Sequence, residues 1–147
     1  MRTRDYARTG LAVVAWLFAA LLLIQIFLAG LGVFDDPRSF VTHREFGYGI
    51  SWLILAMIVL AVVGRVPRAI LGLCVLLAVQ IILQSVFVAM RGSNPAVAAL
   101  HPVNGVLMLV VTLAVARGAW QIRSEGRFAG SPAPTPAPVP TGAGPEA

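Results

Sequence analysis

The chain has 147 residues, 59% of them hydrophobic and 12% charged, with a mean hydropathy of +0.87 and a formal net charge of +5. That apolar share is well above that of soluble domains and excludes a water-soluble globular class. All 11 basic residues are arginines placed between apolar runs, so the positive charge reports membrane topology and points to no nucleic-acid partner.

The basic segment "MRTRDYARTG", residues 1–10, precedes the first apolar run, 11–34 ("LAVVAWLFAALLLIQIFLAGLGVF"). That run is longer than the roughly 7–15 residues of a signal-peptide core, so it reads as a retained span. Three further runs follow at about 46–64, 69–90 and 96–117. Each has roughly the 17–25 residues that a helix needs to cross the hydrocarbon core. The expected fold is therefore all-α: an integral membrane four-helix bundle over residues 11–120. With the N-terminus inside, Arg2, Arg4, Arg8, Arg65, Arg68, Arg117, Arg123 and Arg127 fall on the cytoplasmic side, and Arg38, Arg44 and Arg91 fall outside. This positive-inside bias puts both termini in the cytoplasm. The lack of lysine and the abundance of Ala, Val, Gly and Arg suggest a high-GC bacterial genome and a bacterial cytoplasmic membrane.

Start signals mark the second and fourth helices. In "DDPRSFVTHREF", Asp36 and Pro37 form one N-cap and N1 pair, while Thr42 and Glu45 form a competing capping box. Asn94 and Pro95 open the fourth helix, and Pro102 removes the amide that would bond back to the carbonyl of residue 98, which predicts a kink beside His101. Cys74, the only cysteine, lies mid-span, and Trp120 falls near the inner boundary. Residues 121–147, proline- and alanine-rich, read as a disordered cytoplasmic tail.

The chain reads as two helical hairpins. "LLLIQIFLAG" (21–30) aligns without gaps on "LLAVQIILQS" (76–85), matching Gln25 to Gln80, and H-x-x-x-G follows each, at 43–47 and 101–105. One hairpin returns the chain to its starting side, so the copies are parallel repeats about an axis along the membrane normal.

That repeat puts His43 and His101, the only two histidines, at related positions near the outer face. Residues i and i+4 share a helix face, so Gly47 and Gly105 lie one turn deeper than the histidines. There they clear space for a flat ring. Two imidazoles above such clearings suit one bis-histidine haem, because imidazole is a neutral nitrogen donor and bundle cores hold such sites. His43 and His101 are the candidate axial ligands of the iron, with Gly47 and Gly105 making room for a b-type haem. Gln25, Gln80 and Gln84 read first as helix-to-helix hydrogen-bonding groups, and alternatively as donors to a haem propionate or a quinone carbonyl.

On these two H-x-x-x-G pairs the chain resembles one half of heme A synthase, over about residues 11–120. The resemblance implies histidine ligands at the outer ends of the second and fourth helices. The paired cysteines of that enzyme's first outer loop, its second half and a carboxylate buried in a span have no counterpart here. Haem proteins of the cytochrome b561 type use four histidines for two haems, so this chain has ligands for at most one. It also resembles a family of small uncharacterised bacterial membrane proteins with an "LHPVNG"-type fourth helix. No catalytic constellation stands out. The expected function is electron transfer or redox sensing in the lipid bilayer, with a quinone or a redox membrane protein as partner and oligomer formation open. The alternative is a non-catalytic membrane subunit or scaffold that works through helix packing.

Overall fold

The computed structural model describes residues 3–128. Helix α1 (Thr3–Phe34), α2 (Ser39–Gly64) and α3 (Arg68–Ala89) are followed by a 3-10 turn (Met90–Gly92), the single turn α4 (Pro95–Ala98) and the long helix α5 (Leu100–Phe128). The described residues contain four candidate spans, with α4 and α5 together forming the fourth. The protein is an all-helical, multi-pass membrane protein. Helix α1 packs most extensively on α2, and the pairs α1–α5, α3–α5 and α2–α3 close a ring in which α2 and α5 stand diagonally opposite.

The core follows from helical spacing. One face of α1 buries Ala7, Leu11, Ala15, Phe18 and Leu22, and facing stripes bury Ile54, Met57 and Ala61 on α2, Cys74 and Leu77 on α3, and Met108, Thr112 and Val115 on α5. Leucine is as apolar as lipid, so burial of apolar surface adds little between these helices, and small residues in the stripes serve by letting backbones approach. A Cβ at Gly118 would lie 2.9 Å from Ile70 Cδ1, and one at Gly32 would lie 2.8 Å from the Phe40 ring. The free thiol of Cys74 is part of this packing. Large apolar residues such as Phe27, Trp52 and Ile82 point outward, where lipid is their solvent.

The helix ends decide between the competing start signals. Asp36 Oδ1 accepts from the Arg38 amide at 2.9 Å, and Ser39 N–H donates to Asp36 O at 2.8 Å, so the chain turns into α2 from the Asp36–Pro37 signal. Thr42 and His43 consequently lie inside the helix, and Glu45 pairs with Arg44 on the exposed surface. At the fourth span, Asn94 Oδ1 accepts from Val97 N–H at 3.2 Å, as an N-cap should. The hydrogen-bond ladder is then interrupted at Ala99, whose backbone keeps helical angles (φ −64, ψ −13), next to the Ala98 carbonyl that Pro102 leaves without a helical donor. Beyond this point, α5 runs to Phe128, past the expected limit at 117 and into the segment read as tail. Residues 129–147 of that tail lie outside the described residues.

At the end of α2, Arg65 adopts the left-handed conformation (φ 48, ψ 50), and Val66 N–H reaches back to Ala61 O at 3.1 Å. This Schellman-type stop, followed by Pro67, reverses the chain into α3. Four crossings bring Arg4, Arg8, Arg65, Arg68, Arg117 and Arg123 to one end of the bundle and Arg38, Arg44 and Arg91 to the other.

Candidate functional site

Near the arginine-poor end, His43 on α2 and His101 on α5 meet across the diagonal of the bundle. Their ring centroids are 6.1 Å apart and the ring planes cross at 71°. Both side chains are half-buried. The interruption at Ala99 lies two residues before His101, at the point where the fourth span reaches this contact.

Each imidazole is oriented by the preceding helix. His43 Nδ1 donates to the backbone carbonyl of Gln25 on α1 at 3.0 Å, and His101 Nδ1 lies 3.3 Å from the backbone carbonyl of Gln84 on α3. A carbonyl only accepts, so at His43 this contact puts the proton of the neutral ring on Nδ1 and leaves Nε2 to accept. Metal-ligating histidines are commonly held this way.

Glutamine side chains complete two similar clamps. Gln25 Nε2 donates to the His43 carbonyl at 2.8 Å and sits 3.4 Å from His43 Nε2. The hydrogen-bond network orients the Gln84 amide with its nitrogen 2.9 Å from the His101 carbonyl and its oxygen accepting from Gly105 N–H at 3.3 Å. Both amides lie over the glycines: a Cβ at Gly47 would meet Gln25 Nε2 at 2.7 Å, and one at Gly105 would meet the Gln84 terminal amide at 3.3 Å. The H-x-x-x-G spacing thus clears a surface for the glutamine of the neighbouring helix.

This geometry revises the side-chain match read from the repeat. The residue that stands to His101 as Gln25 stands to His43 is Gln84, while Gln80, one turn deeper, takes a different role. Asn104 Nδ2 donates to the backbone carbonyl of Gln80 at 2.9 Å, and both side chains are buried. Gln25 Oε1 and Gln80 Oε1 are buried without a hydrogen-bond partner. Asn104, on the same face of α5 as His101 three residues later, was visible in the "LHPVNG" stretch as a polar residue inside a span. Towards the arginine-poor end, Phe40 packs its ring on Gly32 and meets His43 edge-on, with centroids 6.3 Å apart.

The donor set limits what the pair can hold. Among the described residues no group of three or more His, Cys, Asp or Glu side chains is placed to hold a metal ion. A bare zinc ion normally takes three or four protein ligands. A haem iron needs only two, because the porphyrin supplies the rest. Two imidazoles sharing one metal at nitrogen distances of about 2 Å have ring centroids about 6 Å apart, comparable with the separation observed. Two neutral imidazoles are the type and number of donors that a haem iron takes, while the glutamine amides cover the glycine surfaces on which the ring would rest.

No curated protein and no solved structure matches the chain, so the comparisons give no support to the expected resemblance to heme A synthase. A family model matches residues 25–90, a stretch that includes Gln25, His43, Gly47 and Gln84 and stops before His101. Over that stretch the chain is similar to a family of unknown function, DUF6220.

Proposed function

We propose that this protein is a membrane haem protein in which His43 and His101 hold one b-type haem near the outer face. The supporting observation is the meeting of the only two histidines, from diagonally opposite helices, at a centroid separation of 6.1 Å. When bound, the haem supplies a one-electron couple. The carbonyls of Gln25 and Gln84 hold the two rings at Nδ1, and Nε2 would be the ligating nitrogen, at His43 once the Gln25 amide 3.4 Å away had left it. Hydrogen bonding at Nδ1 also raises the basicity of the other nitrogen. Gln25 and Gln84 cover the glycine surfaces, and their amides would have to move aside to admit the ring. The arginine bias between the two ends supports a site on the side away from the cytoplasm. Its electron partner is a quinone or another membrane redox protein.

A second reading is favoured by the same amides. With Gln25 and Gln84 filling the glycine clearings, the cluster works as a polar lock between hairpins in a non-catalytic membrane subunit. A reduced-minus-oxidised visible spectrum of detergent-purified protein, expressed with haem supply, separates the two. Sharp reduced bands that vanish in both His43→Ala and His101→Ala are expected. Well-folded wild-type protein without haem bands refutes the haem reading and leaves the lock.

A further inference from the structure

At the opposite, arginine-rich end, Trp16 on α1 and Arg117, Trp120 and Gln121 on α5 line an open groove between the two helices. Trp16, Arg117 and Trp120 are all exposed. Arg117 has no hydrogen-bond or ion-pair partner among the described residues, unlike Arg8, which donates to the Gly64 carbonyl, and Arg123, whose guanidinium lies 4.8 Å from the Trp120 ring centroid. The chain from Pro102 to Ala116 carries no charge. Arg117 is therefore the first cation met on descending α5, about 24 Å below His101 at 1.5 Å per residue.

We infer that this groove binds the headgroup of an anionic phospholipid, with Arg117 contacting the phosphate. Three physical reasons converge. An exposed guanidinium without a partner among the described residues, at the edge of the apolar belt, suits an anion, and its planar fork matches phosphate. Indoles favour the headgroup level, where an apolar ring and a polar N–H are both accommodated, and two of them flank this cation. Basic pockets between membrane helices are suited to anionic headgroups. The same lipid would bridge α1 and α5, the first and last spans.

Tryptophan quenching tests the assignment. The protein has three tryptophans, and Trp52→Phe leaves only the two in the groove. In nanodiscs of unbrominated phosphatidylcholine, a small fraction of brominated phosphatidylglycerol should quench Trp16 and Trp120 more than the same fraction of brominated phosphatidylcholine. Local enrichment of about fivefold is expected from one arginine near the surface. Arg117→Gln should abolish the preference, Arg117→Lys should retain most of it, and Arg68→Gln, at the same end but outside the groove, should leave it unchanged. Excess inorganic phosphate should not compete. Equal quenching by both lipids, a preference that survives Arg117→Gln, or its loss on adding phosphate would each overturn the proposal.

Discussion

Gly47→Ala isolates the role of the H-x-x-x-G spacing. The added methyl group would stand 2.7 Å from Gln25 Nε2, a distance that no carbon–nitrogen contact sustains, so the amide must leave. Its departure breaks the 2.8 Å bond to the His43 carbonyl and strands an amide already carrying one unpaired oxygen. An interhelical hydrogen bond in a membrane averages about 0.6 kcal/mol, and a buried donor left unpaired costs about 1–3 kcal/mol. Replacing glycine by alanine inside a helix returns about 1 kcal/mol. The net expectation is a loss of about 1 kcal/mol. Gly49, two residues along the same helix, has open space where its Cβ would go, so Gly49→Ala should gain the helical term alone. The two variants should therefore differ by about 2 kcal/mol, the sum of loss and gain. Reversible unfolding in mixed micelles, followed by far-UV circular dichroism, measures both. Gly47→Ala as stable as Gly49→Ala would refute the clamp.

Gln80→Leu should be neutral or stabilising, because it removes a buried oxygen without a partner and leaves intact the backbone carbonyl to which Asn104 donates. Asn104→Leu loses that bond and should destabilise by about 0.6–1.7 kcal/mol, so the same unfolding assay should order the two variants oppositely to any polar-to-apolar trend. Arg65→Gly should stabilise by about 1 kcal/mol, since glycine takes the left-handed conformation at the end of α2 without strain, read as a raised unfolding midpoint.

The four apolar runs, the Asn94–Pro95 start and the interruption beside Pro102 were all legible in the sequence, because span length, capping and the missing amide are local properties of the chain. Two choices were not. Asp36–Pro37 and Thr42–Glu45 are both sound start signals, and Glu45 is drawn instead to the neighbouring Arg44, a competition that composition does not rank. Gln80 and Gln84 lie one turn apart on the same face of α3, so a leucine-rich alignment matched Gln25 to the wrong one. Residue counting offered a clue: 18 positions separate Gln25 from His43 and 17 separate Gln84 from His101, against 21 for Gln80. The covering of each glycine by a neighbouring amide depends on helix rotation, which only the packed structure supplies.

The first hairpin is pinned along its whole length: Arg8 donates to the Gly64 carbonyl at one end, and the Gln25 clamp and the Phe40 ring on Gly32 join α1 to α2 at the other. All of these contacts lie within the chain up to Gly64, so none of them requires α3 or α5. His43 is thus oriented by Gln25 inside the first hairpin alone, while its partner imidazole lies 37 residues beyond Gly64. The first hairpin therefore carries one half of the histidine pair ready-made, and only the packing of the fourth span brings the other half to it.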